Sequence, residues 1–177
     1  MKTIQKPFFL LAVLFLCGLA IFMTMSCSAS KTVPLGPILP ESDDPEVIAQ
    51  QYRESYDKWL ARNLRDYTMV FSYGAHSPTA GVWELDITDR RVTRRIFEGK
   101  LQSDDSAAMN NMNMERLFEL ASTAASERRD GPFIIRAAFY RDGGVASVRR
   151  VRNPAATGTI PRDATWAYMV SEIRDNR

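Results

Sequence analysis

Arginine side chains concentrate on two short segments, and they are the groups in this chain best suited to bind a ligand. The first segment carries Arg91 and Arg95, and the second carries Arg150 and Arg152. A planar guanidinium binds a phosphate or a carboxylate through two parallel hydrogen bonds. If the segments are neighbours in the fold, these four arginines form an anion-binding patch. The alternative is an outward sheet face on which arginine stems cover apolar surface and the charged heads stay in water.

His76 is the only histidine, and it lies in a predicted turn next to Ser77. A Ser-His-Asp site needs a third group to orient the histidine, and neighbours in sequence rarely form one. The chain also has no G-x-S-x-G motif. A single histidine without available cysteine thiolates leaves too few ligands for zinc. We therefore expect no catalytic residue, no metal and no cofactor.

Carboxylates come in pairs at Asp43-Asp44, at Asp104-Asp105 and at Glu84 with Asp86. A glycosidase or an aspartic protease needs two carboxylates that converge in a shaped cleft. Adjacent acids point in different directions, so the first two pairs are typical of solvated loops. Glu84 and Asp86 share one face of a predicted strand, where Arg94 on the next strand can pair with them. The sequence indicates surface ion pairs here rather than an enzyme site.

A basic and then apolar leader ends at Cys27. Lys2 and Lys6 precede an almost wholly apolar run from Pro7 to Met25, and Ser26 follows the run. A positive segment, an apolar segment and small residues at its exit are the parts of a secretory signal. The basic residues before the apolar run keep the N-terminus on the cytoplasmic side. The remainder of the chain is therefore predicted to be exported.

Cys27 makes this leader resemble a bacterial lipoprotein signal, in which the cysteine becomes the lipidated first residue of the mature chain. Ser26 fits the common pattern before such a cysteine, whereas Thr24 and Met25 depart from it. The resemblance implies that a lipid such as palmitate on Cys27 holds the protein on a membrane. Two alternatives stay open. About 19 apolar residues can cross a bilayer as an uncleaved anchor, and ordinary signal cleavage near Ser28–Ser30 is the other.

Composition limits what the exported part can be. The chain has 23 Lys and Arg residues and 21 Asp and Glu residues, but Lys2 and Lys6 lie in the leader, so the exported part has no net charge. This balance and the predicted export argue against a nucleic-acid partner. The second cysteine, Cys17, also lies in the leader. With Cys27 used for the lipid no disulfide can form, and the core alone must hold the domain together.

Three regions follow from the pattern of residues along the chain. Residues 1–26 form the signal peptide, residues 27–43 a Pro-rich spacer, and residues 44–177 a single domain. Three prolines and a glycine keep the spacer extended. At about 3 Å per residue it would hold the domain some 40–50 Å from the bilayer.

The first half of the domain is predicted to be one helix and three strands. Asp44 is a typical N-cap, and apolar residues then recur at spacings of three and four, at Ile48, Tyr52, Tyr56, Trp59, Leu60 and Leu64. Alternating residues predict strands over 66–73, 81–88 and 91–98. The short break between the last two strands indicates a hairpin.

The second half repeats this plan. A helix is predicted from about Asn113, followed by strands over 133–140 and 145–152 with a glycine turn between them. The closing segment 165–173 fits a helix or a strand, and we take it as a strand. The order is αβββ-αββ(β). Consecutive hairpins imply the α+β class, an antiparallel sheet with both helices on one face.

A few structural residues stand in a distinctive order. A Tyr-x-x-Trp occupies Tyr56–Trp59, and Asp-Tyr opens the first strand at Asp66–Phe71. Leu117-Phe118 lie on the second helix, and Trp166–Tyr168 are on the closing strand. Over residues 44–174 this order resembles a family of small bacterial lipoproteins with a C-terminal domain of unknown function. Members often carry Cys-x-Cys near the end of the first strand, where this chain has Phe71–Tyr73. The resemblance therefore implies no shared disulfide or metal site.

Together these features favour a membrane-anchored, exported lipoprotein that binds a partner and is not an enzyme. The membrane is one partner, through the lipid, and an envelope protein or an anionic glycan is the other. A structural or assembly role in the cell envelope is the alternative. An exported hydrolase is a third possibility, which the scarcity of catalytic groups disfavours. Ser28 after the cysteine resembles lipoproteins sent on to the outer membrane, in a host that has one.

Overall fold

The computed structural model describes residues 30–103, 109–126, 131–157 and 164–177. The elements in chain order are β1 (Lys31–Thr32), α1 (Pro45–Arg62), β2 (Tyr67–Ala75), β3 (Gly81–Thr88), β4 (Arg91–Phe97), β5 (Lys100–Leu101), α2 (Met114–Ser126), β6 (Phe133–Phe139), β7 (Val145–Arg152) and β8 (Trp166–Asp175). The leader with Cys27 and the pair Asp104-Asp105 lie outside the described residues. In the described ranges no helix has the length and apolar character needed to cross a bilayer.

All of these strands belong to one antiparallel sheet. Its order is β5-β4-β3-β2-β8-β7-β6, with β1 beside β8. The predicted α+β class and both predicted hairpins are confirmed. The closing segment is a strand, and it lies between β2 and β7. The last strand of the chain therefore joins the two halves of the domain at the centre of the sheet.

The two faces of the sheet differ in chemistry, as strand alternation requires. On one face, Tyr67, Met69 and Phe71 of β2 are fully buried, and they lie opposite Ile87, Leu85 and Trp83 of β3. We call this the helix face. On the other, the open face, Glu84 lies opposite Val70 and Asp86 opposite Thr68.

Both helices pack on the helix face. Phe118 of α2 contacts Tyr52 of α1 edge to face, with ring centroids 5.5 Å apart, and stacks on Phe139 of β6 at 6.1 Å. The buried Ser55 hydroxyl of α1 donates to the Tyr140 carbonyl oxygen at 2.8 Å. At the start of α1, the Asp44 side chain accepts the Glu46 N–H at 2.9 Å, so the predicted N-cap is present.

Different loops lie at the two ends of the sheet. We call the end where residue 31 enters the sheet the entry end, and the opposite end the far end. At the entry end, Lys31 and Tyr67 both lie opposite Asp175, and Thr88 opens the β3–β4 turn. At the far end, Ala75 lies opposite Trp166, and β3 and β6 begin. The chain therefore enters the fold at the same end as its C-terminal residues.

The N-terminal segment, residues 31–43, is folded against the domain. Its backbone bonds run from Val33 N–H to Ile173 O at 2.8 Å, from Leu39 N–H to Phe139 O at 2.8 Å and from Ser42 N–H to Ala137 O at 3.0 Å. Val33, Leu35 and Leu39 pack on the core. The segment thus pairs with the end of β8, passes the β6–β7 turn and follows the outer edge of β6. The spacer prediction is wrong over these residues, because prolines interrupt strand pairing without preventing isolated bridges at the sheet edge.

Candidate anion-binding site

The two arginine-rich hairpins do not lie side by side. β3, β2 and β8 separate β4 from β7, which at about 4.8 Å per strand places them roughly 19 Å apart. Arg91 and Arg95 therefore do not join Arg150 and Arg152 in one patch, and that prediction is wrong. The physical reason is the sheet order, in which the closing strand inserts between the two halves of the domain.

A bulge in β4 also changes the face that each arginine occupies. Leu85 lies opposite Arg95, but beyond the irregularity Thr88 lies opposite Arg91. Arg95 is therefore on the helix face, and Arg91 is on the open face. Strict alternation would place both on one face, and the extra residue in β4 breaks that alternation.

Arg91 and Arg95 nevertheless line the same cavity, of about 430 Å³. No described strand pairs with the outer side of β4 before Ile96, so side chains from both faces reach around its edge. The cavity is lined by arginine and asparagine side chains and one valine: Arg90, Arg91, Val92, Arg95, Asn110, Asn111 and Asn113. None of these lining residues is acidic. We call it the arginine cavity.

Arg95 forms its inner wall and is only 8% exposed. Its guanidinium donates to the Asn110 side-chain oxygen and to the Ser103 carbonyl oxygen, the latter at 3.3 Å. These bonds fix the orientation of a long side chain, so less conformational entropy remains to be lost when a ligand binds. A charge held in a wall of low dielectric also interacts more strongly with an anion than one in water.

Arg90 and Arg91 form the exposed outer wall, at the entry end. The Asn113 side-chain N–H donates to the Arg90 carbonyl oxygen at 2.8 Å, and the Asn113 side-chain oxygen accepts the Arg116 N–H at 2.8 Å. Asn113 is therefore both the N-cap of α2 and a link to the β3–β4 turn. The positive end of the α2 dipole consequently lies beside the arginine cavity.

Glu115, in the first turn of α2, connects the cavity to the core. It accepts hydrogen bonds from Trp59 Nε1 at 3.4 Å and from the Tyr67 hydroxyl at 3.5 Å, and it lies 3.8 Å from Arg90 Nε. Burial and then the charge of Glu115 raise the pKa of Tyr67, so this phenol stays protonated. The Met114 N–H donates to the same hydroxyl at 3.1 Å. The Trp and Tyr that carry the family resemblance thus hold the start of α2 against the sheet.

The groups that line the arginine cavity suit the binding of an anion. A guanidinium stays protonated throughout the physiological pH range, so it does not act as a general base there. Its fork of N–H donors matches a carboxylate or a phosphate, and the asparagine amides add neutral donors. The arrangement can hold, orient and partly desolvate an anionic group.

The second arginine hairpin contributes to a different cavity, of about 340 Å³, at the far end. There the guanidiniums are engaged by the protein itself. Arg149 pairs with Glu41 of the N-terminal segment, with Nε donating to Oε1 at 2.7 Å, and this hydrogen bonding raises the pKa of Arg149. Arg150 lies over the Phe133 ring, 4.2 Å from its centroid. Arg152 is exposed opposite Phe133.

His76 also lines the far-end cavity, next to Trp166, and is exposed. Ser77 does not pair with it as a nucleophile would, because the Ser77 hydroxyl lies 2.8 Å from Thr79 Oγ1. Among the described residues, no carboxylate lines this cavity. The described residues therefore do not assemble a Ser-His-Asp arrangement around His76.

The strand carboxylates form ion pairs on the open face. Arg94 Nη1 lies 3.3 Å from Asp86 Oδ2, as predicted, and Glu84 pairs with Arg174 at 2.7 Å. Within the described part of the chain, no group of three or more His, Cys, Asp or Glu side chains is placed to hold a metal ion. Asp104-Asp105 falls outside that part.

The sequence places Arg90 on the same predicted hairpin, but the predicted patch did not include it, and the three asparagines of the arginine cavity were not predicted. Their signal was present, since Asn110, Asn111 and Asn113 directly precede the apolar periodicity of α2. An asparagine at that position is a typical N-cap, and a helix N-terminus attracts anions. What the sequence lacked was the contact between this N-terminus and the β3–β4 turn.

Comparison of the chain with protein-family models, with curated proteins and with solved structures found no significant match. The resemblance to small bacterial lipoproteins therefore stays a prediction.

Proposed function

We propose that this protein is an exported, non-catalytic binding module, attached to a membrane of the cell envelope through a lipid on Cys27. Its arginine cavity holds an anionic group of the ligand, a phosphate or a carboxylate. An anionic glycan, a lipid headgroup or an acidic envelope protein offers such a group. In a host with an outer membrane, Ser28 after the cysteine favours that membrane as the site of attachment.

One observation carries this proposal. Arg90, Arg91 and Arg95 converge on one cavity beside the N-terminus of α2, with asparagine amides and no acidic side chain among its described lining residues. Guanidinium groups that face each other repel, so such a site gains stability when an anion neutralises it. Arg95 is also held in place by Asn110 before any ligand binds.

Titration calorimetry with inorganic phosphate and with acetate tests the binding site. The chain from Ser28 to Arg177 retains every described residue, so it serves as the soluble protein. We expect Arg91→Gln to weaken binding about tenfold, the loss of one charge-assisted hydrogen bond. Arg94→Gln is the matched control, because Arg94 is on the same strand but pairs with Asp86 on the open face. Equal affinity in all three proteins would rule out the arginine cavity.

Metabolic labelling with palmitate tests the anchor separately. Cells that express the full chain should incorporate the label, and Cys27→Ser should abolish it. A labelled Cys27→Ser protein would show that this cysteine is not the lipidated residue. Cys17→Ser is the control, because Cys17 lies inside the apolar run and should not affect labelling.

A further inference from the structure

The point at which the chain enters the fold limits how far the domain can stand from its anchor. The described residues start at Ser30, whose hydroxyl donates to the Asn176 side-chain oxygen at 3.1 Å, and β1 follows at Lys31. Four peptide steps separate Cys27 from Lys31. Fully extended, they span at most about 14 Å. A lipid on Cys27 would therefore hold the entry end of the sheet against the bilayer surface.

The entry end carries two cation-lined cavities. The first is the arginine cavity, of which Arg90 and Arg91 form the outer wall. The second, of about 220 Å³, is lined by the cations Lys31, Arg62 and Arg177, by one acid, Asp175, and otherwise by Thr32, Val33, Pro34 and Leu64. The charged heads and apolar stems of this second lining suit the boundary between lipid headgroups and acyl chains.

The loop between α1 and β2 joins the two cavities. On one side the Arg90 N–H donates to the Arg65 carbonyl oxygen at 3.4 Å, and on the other the Asn176 N–H donates to the Asp66 carbonyl oxygen at 3.1 Å. Arg65 itself is exposed. The loop therefore lies between the two cavities, and the exposed Arg65 lies on it between their cations.

Two carboxylates at the same end, Asp175 and Asp66, are engaged by the protein, and two others are exposed. Arg177 donates two hydrogen bonds of 3.0 Å to Asp175 and lowers the pKa of that carboxyl. Asp66 accepts the Asp89 N–H at 3.0 Å. Asp89 and Asp142 are exposed acids at this end. Exposed cations at this end, by contrast, include Lys31, Arg65, Arg90 and Arg91.

We propose that the entry end is a membrane-facing surface, and that the anion it takes is the phosphate of anionic phospholipids in the membrane that carries the anchor. This inference rests on the proposed function and names the ligand class of the arginine cavity. Surface potential extends about one Debye length, roughly 10 Å at 0.1 M salt, so cations within reach of the anchor experience it. The lipid on Cys27 and the cations of the entry end then both bind the membrane. Stable attachment commonly needs such a pair, one acyl chain and one basic surface.

Vesicle binding by a chain that lacks the Cys27 lipid anchor isolates the contribution of this surface. The chain from Ser28 to Arg177 is mixed with phosphatidylcholine vesicles that do or do not contain phosphatidylglycerol, and bound protein is measured by sedimentation. We expect binding only to the anionic vesicles, and about fivefold weaker binding for each entry-end charge removed. Arg90→Gln with Arg91→Gln therefore weakens binding about 25-fold by the same scale.

The control removes the same charge at the far end, by Lys100→Gln with Arg152→Gln. Lys100 and Arg152 are exposed and lie at the far end, where β5 begins and β7 ends. Equal weakening by both pairs would mean that net charge alone drives binding and would overturn the proposal. Absence of binding to anionic vesicles, in a protein that still binds inorganic phosphate, would overturn it too, while leaving the arginine cavity as an anion site.

Orientation is tested on the lipidated full chain reconstituted in vesicles. A fluorophore on Thr88→Cys reports the entry end, and one on His76→Cys reports the far end. The eight residues of β3 place the two ends roughly 25 Å apart. Nitroxide on lipid headgroups should quench the first fluorophore strongly and the second weakly. Equal quenching would contradict the proposed orientation. Palmitate labelling tests the lipid anchor in a separate experiment, so failure of the anchor is distinguishable from failure of the orientation.

Discussion

The two arginine hairpins look alike in sequence and are used differently by the fold. In the β3–β4 hairpin, Arg90, Arg91 and Arg95 line a cavity whose described lining residues include no acid. In the β6–β7 hairpin, Arg149 is bound by Glu41 and Arg150 stacks on Phe133. The first hairpin lies at the edge of the sheet, whereas the N-terminal segment covers the edge beside the second. Glu41 and Phe133 thus engage guanidiniums of the second hairpin, whereas in the first hairpin Arg91 has no ion-pair partner among the described residues.

The difference between the two hairpins depends most on the N-terminal segment, which covers the sheet edge beside the second hairpin. Removal of this segment therefore has the largest expected effect on the free energy of unfolding. A chain that begins at Asp43 loses Val33, Leu35 and Leu39 from the core. We expect the free energy of unfolding to fall by about 3 kcal/mol or more, at roughly 1 kcal/mol for each partly buried side chain. Urea unfolding measures it, with the chain from Ser30 as the control. Unchanged stability would mean that this segment is a spacer after all.

Substitution of a glycine in the β6–β7 turn should give the next largest loss of stability. Gly143, in the β6–β7 turn, has a φ of +101°, and a Cβ there would lie 2.7 Å from the Trp59 backbone nitrogen. We expect Gly143→Ala to cost about 3 kcal/mol, from backbone strain plus this contact with α1. Gly99→Ala is the control, because Gly99 has a φ of +75° and open space around it.

The control should cost about 1 kcal/mol, for the strain alone. Thermal or urea unfolding of both variants gives the difference. Equal costs would show that the β6–β7 turn does not pack against α1 as closely as described.

Single arginine substitutions should separate stability from binding. Arg149→Gln breaks a partly exposed ion pair, so we expect a loss of about 0.5 kcal/mol in stability and no change in phosphate affinity. Arg91 has no ion-pair partner among the described residues, so Arg91→Gln should reduce phosphate affinity without changing stability. Urea unfolding and calorimetry on the same preparations check both. The reverse pattern would exchange the roles of the two hairpins.

The smallest effect concerns alkaline pH. Burial, and then the neighbouring Tyr73, raises the pKa of Tyr168 from 10.0 to about 12. The neutral phenol is favoured in the folded state, so this contribution is complete below pH 10 and is lost as the pH rises towards 12. Tyr168→Phe should therefore flatten the fall in stability over this range, measured by urea unfolding at a series of pH values. An unchanged slope would show that Tyr168 does not contribute.

Much of the fold was predictable from the sequence, because alternation and helical spacing are local signals. Both helices and both hairpins follow from such patterns, as does the pairing of Arg94 with Asp86. The closing segment was ambiguous, since Trp166, Met169, Val170 and Ile173 fit a helix while Trp166, Tyr168 and Val170 fit a strand. Its place between β2 and β7 settles this in favour of a strand.

The candidate site was predictable only in part, because it depends on contacts between distant segments. Arg91 and Arg95 were identified by type, but the sheet order that separates them from Arg150 and Arg152 is a property of the whole chain. The bulge in β4 adds one residue that alternation does not anticipate. The N-terminal segment was misread because proline is compatible both with a segment packed on a sheet edge and with an extended linker.

The most direct measurement is a phosphate titration of the chain from Ser28 to Arg177, followed by NMR of the arginine Nε–H and asparagine side-chain N–H groups. We expect saturable shifts at Arg90, Arg91 and Arg95, and none at Arg149 or Arg150. Shifts confined to the second hairpin, or spread evenly over all arginines, would contradict the arginine cavity as the anion-binding site.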